Sequence, residues 1–287
     1  MLSFASRIFP ELIRIRVSLS VTLSAFAAWC AASGTVSPKA IVPLAGIFLL
    51  ASGASAFNQV QEKEQDAKME RTKHRPVPSG KISSKNASFF AFLLLLSGLT
   101  FLASGAFWTC VVLGLLNILW YNGFYTWLKK KTAFAVVPGA LSGVIPVYMG
   151  WSAAGGSLSD HPVFLLAFFL FMWQIPHFWL LMIKYGNEYR LAGFPVMTDV
   201  FNEFQFRNII FAWMIGATGT SLLLVLSGFW MLLFSKLMIP GMNLIILSLF
   251  FYQFYFVKIP RYKLLFILMN TFLLLVLLML ILEKTIS

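Results

Sequence analysis

The chain has 287 residues, 59% of them hydrophobic and 11% charged, with a mean hydropathy of +0.82. A soluble domain is roughly 45–50% apolar and about 25% charged, so a soluble enzyme is excluded and a polytopic helical membrane protein is expected. The net charge of +12 would suggest nucleic acid in a soluble protein; here it reads as topology, and no nucleic-acid partner is expected.

A hydrocarbon core of about 30 Å needs around 20 mainly apolar residues per helix. Windows of that length predict nine spans, near 17–33, 39–57, 87–106, 107–127, 133–152, 162–184, 207–228, 231–256 and 264–283. Pro43, Pro146, Pro176 and Pro240 fall inside them as candidate kinks or ends. The third and fourth spans form a tight hairpin around Ser104 and Gly105. Gly139 and Gly143, four residues apart in GALSG, permit close helix packing, and Asn117, Asn122 and Asn270 read as helix–helix glue. Cys30 and Cys110 sit in apolar blocks and form no Cys-rich metal site.

Of the 22 Lys and Arg, only Lys39, Lys236 and Lys284 fall on one side of this arrangement. The others lie in the N-terminal tail (Arg7, Arg14, Arg16), between spans 2 and 3, after span 4, and around the 6–7 and 8–9 loops. The positive-inside rule then puts the N-terminus in the cytoplasm. The predicted fold is an all-α integral membrane protein, with residues 1–16 as a cytoplasmic N-terminal tail and 17–287 as one polytopic domain of about nine transmembrane helices in a bundle. The run after Arg14 and Arg16 ends in Ala31, Ala32 and Ser33, as a secretory signal does; its length and its charges favour a first membrane helix. No Arg- and Ser-rich transit segment precedes it, which predicts a bacterial cytoplasmic (inner) membrane.

The remaining polarity is concentrated in residues 58–86 and 184–207. Asn58, Glu62 and Asp66 stand four residues apart, so a helix continuing through them lines one face with an amide oxygen and two carboxylates. Such hard oxygen ligands suit Mg²⁺, and Lys68, Arg71, Lys73 and Arg75 follow as candidate holders of a polyanion. The same stretch also reads as a solvated helix end with pairs such as Glu64 with Lys68. Tyr125, Lys129 and Lys130 form a second basic station, which equally fits a helix stop touching anionic head groups. The 184–207 stretch adds Lys184, Glu188, Arg190 and Asp199. Within the sixth span Trp173, Gln174, Pro176 and His177 interrupt an apolar run. Intramembrane polar groups are functional candidates, and His177 can ligate an iron, orient a polar substrate or bond another helix. His74, His161 and Asp160 carry no evident chemistry.

Together these segments, from about residue 15 to 283, resemble the UbiA-type intramembrane prenyltransferase superfamily, and within it the heme-farnesylating subgroup, the heme O synthases. The superfamily's Asn-x-x-x-Asp-x-x-x-Asp signature falls on Asn58, Glu62 and Asp66, with Glu62 in place of the commoner Asp. Met69, Arg71, Thr72, Arg75 and Pro76 match its continuation, and Tyr125, Lys129 and Lys130 its Tyr-x-x-x-Lys-Lys/Arg element. GALSGVIPVYMGW, with Val147 in place of a Pro, WQIPHFW (Trp173 to Trp179) and EYRLAGFPVM are similar to the subgroup's own segments. The aspartate-rich second signature of the quinone-forming relatives is missing, with Glu188 the nearest acidic substitute.

The resemblance implies a prenyltransferase domain with a central cavity capped by the cytoplasmic loops, and transfer of a farnesyl group from farnesyl diphosphate to the 2-vinyl group of heme B. It implies Mg²⁺ as cofactor, with Asn58, Glu62 and Asp66 as catalytic metal ligands and Glu188 as a further one. Lys68, Arg71, Lys73, Arg75, Tyr125, Lys129 and Lys130 are the implied diphosphate-binding residues, and His177, Gln174 and Trp173 the heme-binding ones. Heme O would pass to a terminal oxidase or a heme A synthase. The competing enzyme is a polyprenyltransferase acting on an aromatic or quinone precursor. A transporter would instead place charged groups near the bilayer midplane.

Overall fold

The computed structural model describes residues 8–228, 230 and 232–286, with side chains to 283; Arg7 and the Lys284 side chain lie outside the described residues. Nine helices among these are long and apolar enough to cross a membrane: α1 (Ile15–Ser33), α2 (Pro38–Gln61), α3 (Ser84–Ser104), α4 (Trp108–Leu128), α5 (Ala133–Ala153), α6 (His161–Leu191), α7 (Glu203–Leu226), α8 (Leu233–Tyr255) and α9 (Tyr262–Ile286). The protein is a multi-pass membrane protein, and the described residues contain no strand.

Lipid supplies no hydrophobic drive between helices, so close backbone approach and buried polar bonds hold the bundle. At Gly150 of α5 a Cβ would stand 1.9 Å from the Ala25 carbonyl oxygen of α1, so only glycine lets these two helices touch. Asn122 Nδ2 donates to the Ala54 carbonyl (3.1 Å) and to Gln61 Oε1 (3.1 Å), joining α4 to α2. Asn243 does the same between α8 and α7, donating to Ser221 Oγ (2.8 Å) and the Thr218 carbonyl (3.2 Å). Of the α6 span 61% is buried, against 17% of α4, so α6 is central and α4 turns most of its surface to lipid.

Three elements depart from the sequence expectation. α2 stops at Gln61, and Glu62 adopts φ −113°, ψ 16° before a short helix, Lys63–Ala67. The backbone bonds from Glu62 N to Asn58 O (3.0 Å) and from Asp66 N to Glu62 O (2.8 Å) survive the bend. α4 contains a π-helical turn, Leu119–Tyr125, whose altered pitch is a common device at functional sites. α6 runs on to Leu191, through a kink at Tyr185 (φ −115°, ψ 17°), because the polar stretch expected as a loop continues the helix beyond the apolar run.

The loop between α2 and α3, the end of α6 and the loops after α4 and α8 all lie at the same end as the start of α1. Here Met69 packs with Tyr189, Ala192 and Phe194. The Arg71 backbone N–H donates to Glu188 Oε2 (3.1 Å) and Arg71 Nη2 to Tyr189 Oη (3.1 Å). The two polar stretches therefore dock on each other over that end of the bundle.

Candidate active site

α1, α2, α4, α5, α6 and α9 surround a cavity of about 820 Å³. Its residues recur at helical spacing, as with Ile47, Leu50, Ala51, Ala54 and Ser55 on α2 and Phe266, Asn270, Leu273, Leu274 and Leu277 on α9. The lining is divided by register. The end beneath the docked loops carries Arg14, Arg16, Arg71, Arg75 and Lys129 with Glu62 and Asp66. Deeper come Asn117, Gln174, His177 and Asn270, and then apolar walls such as Ile47, Gly114, Met149 and Leu277. Five cations thus face two carboxylates at one end, and among the described residues no other Lys, Arg, Asp or Glu lines the cavity.

Glu62 and Asp66 are 3% and 2% exposed. Glu62 touches Lys129 Nζ, and Asp66 Oδ2 accepts from Arg75 Nη1 at 2.8 Å. Asn58 is fully buried and does not line the cavity. Its Oδ1 accepts from Arg14 Nη2 (3.0 Å) and its Nδ2 donates to Thr126 Oγ1 (3.2 Å). Glu188 is likewise turned to the Arg71 backbone and is absent from the lining. No group of three His, Cys, Asp or Glu among the described residues is arranged to hold a metal. Two carboxylates nevertheless fit Mg²⁺, which is usually held by one or two carboxylates while water and substrate phosphate complete its shell.

The basic residues divide in the same way. Arg71, Arg75 and Lys129 line the cavity with Tyr125, whose ring lies 5.6 Å below Lys129 Nζ. Arg71 sits 5.3 Å over the Tyr185 ring. Burial, then the charges of Arg14 and Lys130, hold the Lys129 ammonium well below the usual lysine value. Burial and the Arg14 charge bring Arg75 down to about 10, against the opposing pull of Asp66. Crowded cations depressed in this way favour an incoming anion. Lys68 is exposed, Lys73 pairs with Glu70 at the surface (2.7 Å), and Lys130 Nζ donates to the Gln61 carbonyl (3.3 Å); none of the three lines the cavity.

Trp173, Gln174 and His177 all face the cavity. The Trp173 Nε1–H donates to the Met269 carbonyl of α9 (2.9 Å), fixing its ring. His177 lies between aromatic faces, 4.6 Å from the Trp173 centroid and 4.7 Å from that of Phe266, and its buried Nδ1 has no hydrogen-bond partner. GALSG supports this arrangement. A Cβ at Gly139 would stand 2.3 Å from the Tyr125 ring, and one at Gly143 would stand 2.4 Å from the Gln174 amide.

Sequence reasoning gave Arg14 and Arg16 only a topological meaning, and it assigned no role to Tyr189, Phe194 or Phe266. Their signal was weak: cations beside a first span serve topology in any membrane protein, and 30 Phe hide the few that line a site. The charged lining lies at one end of the bundle, which does not match a transporter with charges at mid-depth.

A family model for the UbiA prenyltransferase family matches residues 18–281, and the chain belongs to that family. It is similar to a protoheme IX farnesyltransferase of Geobacter sulfurreducens, 39% identical over 187 residues that cover 65% of this chain and 69% of that one. A protoheme IX farnesyltransferase of Oleidesulfovibrio alaskensis is 39% identical over 190 residues, 66% of this chain and 67% of the relative. Among solved structures, a UbiA homolog from Archaeoglobus fulgidus bound to GPP and Mg²⁺ has a TM-score of 0.72 at 13% identity, covering 96% of this chain and 99% of that chain. A structure of digeranylgeranylglyceryl phosphate synthase has a TM-score of 0.74 at 16% identity, covering 98% and 99%. These structures share the fold with this protein.

Proposed function

We propose that this membrane prenyltransferase transfers the farnesyl group of farnesyl diphosphate to the 2-vinyl group of heme B, forming heme O and diphosphate. The observation that carries the reading is one cavity with two chemistries: a cationic end around Glu62 and Asp66, and a mid-depth aromatic station around His177. The names of the relatives support the acceptor.

Mg²⁺ held by Glu62 and Asp66 would supply positive charge beside the diphosphate. Arg71, Arg75 and Lys129 bind the diphosphate oxygens and stabilise the charge that gathers there as the allylic C–O bond breaks and its electron pair leaves with diphosphate. Asn58 acts from behind, through Thr126 and Arg14. Tyr121 and Tyr125, stacked with ring centroids 5.8 Å apart in the cavity lining, are placed to stabilise the allylic cation by cation–π attraction, while the apolar wall keeps water from it. The terminal vinyl carbon attacks the farnesyl C1. The cation left on the adjoining side-chain carbon takes water and loses a proton, which gives the hydroxyethylfarnesyl group.

His177, with Trp173 and Gln174, holds heme deeper in the same cavity than the charged end. The working location is a bacterial inner membrane with the docked loops in the cytoplasm, from which heme O passes to a terminal oxidase or heme A synthase. Incubating the purified protein with farnesyl diphosphate, Mg²⁺ and heme B, followed by mass analysis of the heme, tests the reading. The expected product is heme B plus farnesyl and hydroxyl. A prenylated product from an aromatic or quinone precursor alone would replace the acceptor.

A further inference from the structure

The residue before α1 has an unusual backbone. Arg14 adopts φ 47°, ψ 56°, the left-handed region, which residues other than glycine, Asn and Asp seldom occupy. Such strain persists where the surroundings over-determine it, and it gathers at ligand sites. Several contacts over-determine this turn. Gln59 Nε2 of α2 donates to the Glu11 carbonyl (2.8 Å) and the Leu12 carbonyl (3.0 Å), and Ser18 Oγ donates to the Ile13 carbonyl (2.9 Å). Leu12 and Ile13 are 1% and 6% exposed.

What the turn delivers is the guanidinium. Arg14 lines the cavity beside Glu62, Asp66, Arg71, Arg75 and Lys129. Nη2 is spent on Asn58 Oδ1, while Nε is buried with no hydrogen-bond partner. A buried guanidinium donor left unpaired is costly, and placing it among other cations adds repulsion. Its pairing within the protein is an uncharged amide, so the charge itself is not neutralised there.

We propose that Arg14 is a diphosphate-binding residue, carried into the cationic end by the strained turn and aimed by Asn58. Asn58 then acts as its orienting partner, and the tail before α1 forms part of the active site. The inference rests on the prenyl diphosphate reading, and its test separates the two. Arg14→Gly removes the guanidinium and relieves the left-handed backbone, so loss of a merely structural role would leave ligand affinity unchanged. The detergent-purified full chain is titrated with inorganic diphosphate and with a non-reactive farnesyl thiodiphosphate, each with Mg²⁺, and separately with heme B. The expected result is at least tenfold weaker binding of both diphosphates by Arg14→Gly, with unchanged heme affinity and an unchanged or raised Tm. Arg14→Lys, which keeps the charge and loses the fork, should fall between. Wild-type affinity for both diphosphates in a folded Arg14→Gly overturns the inference alone. Equal loss of heme and diphosphate binding with a lowered Tm assigns Arg14 to folding and also overturns it. Failure of the wild type to bind either diphosphate overturns the underlying reading as well.

Discussion

Asp66 and Arg75, nine residues apart, meet at 2.8 Å inside the cavity end, in a turn that Thr72 Oγ1 braces by donating to the Asp66 carbonyl at 2.9 Å. The pair holds a buried carboxylate ready beside a cation that is one-fifth exposed and lines the cavity. Asp66→Asn keeps the volume and removes the charge, so turnover should fall by about a hundredfold or more, the scale of losing one preorganised electrostatic group. Heme O formation per unit of membrane-embedded protein measures it, and near-normal formation at equal protein level would remove Asp66 from the metal site. Glu62→Asp, one methylene shorter, should be tolerated because the flexible Lys129 stem can follow it.

A second consequence concerns GALSG. A Cβ at Gly143 would stand 2.4 Å from both polar atoms of the Gln174 amide, so Gly143→Ala must displace Gln174 or push α5 from α6. Overpacking of this kind costs about 1–3 kcal/mol. Heme affinity should weaken more than diphosphate affinity, since Gln174 follows Trp173 directly and stands three residues before His177 on α6. Equal effects on both ligands in titrations would show that the glycine serves only helix packing.

The nine spans were legible because apolar windows of bilayer length are a strong signal, and most observed boundaries differ from the expected ones by only a few residues. The end of α6 was not legible: Lys184, Asn187, Glu188 and Arg190 look like a loop to a hydropathy window, although their spacing lets them continue a helix at the membrane surface. The π turn of α4 was not legible, because its pitch follows from backbone bonds and from a contact that a hydropathy window does not register, Thr126 Oγ1 donating to the Tyr121 carbonyl (2.8 Å). That Glu62 and Asp66 come to one place was legible from their four-residue spacing, and both line the same end of the cavity. The engagement of Asn58 by Arg14 and Thr126 was not, because one partner comes from the turn before α1 and the other from α4. Spacing reports which residues share a face, but only tertiary contact reports which polar atoms are already used.

The side on which the docked loops lie is tested by single cysteines. Lys73 is exposed on the α2–α3 loop and Ser157 is exposed between α5 and α6 at the opposite end. The distribution of Lys and Arg puts the first in the cytoplasm and the second outside. In a background lacking Cys30 and Cys110, Lys73→Cys should react with an impermeant thiol reagent only from the cytoplasmic side, and Ser157→Cys only from the outside. The reverse pattern would invert the protein and move the diphosphate site to the wrong compartment.

His177 separates heme transfer from transfer to a quinone precursor. Its ring is held between Trp173 and Phe266, Trp173 is anchored to the Met269 carbonyl, and Nδ1 has no partner in the bundle. A histidine serving as helix glue would spend a ring nitrogen on a neighbouring helix. Nδ1 is not so spent, which leaves it available to an iron or to a propionate. His177→Ala should therefore weaken heme binding at least tenfold while farnesyl diphosphate affinity stays near that of the wild type, because the cations proposed to hold the diphosphate, Arg71, Arg75 and Lys129, come from the loop after α2 and the end of α4 and do not touch His177. Stability should change little, since no bond from Nδ1 is broken and Trp173 keeps its own. Titrating the purified variant with heme and, separately, with a non-reactive farnesyl diphosphate analogue reads both affinities. Unchanged heme affinity in a folded variant would take His177 out of the acceptor site and shift the acceptor towards an aromatic or quinone precursor.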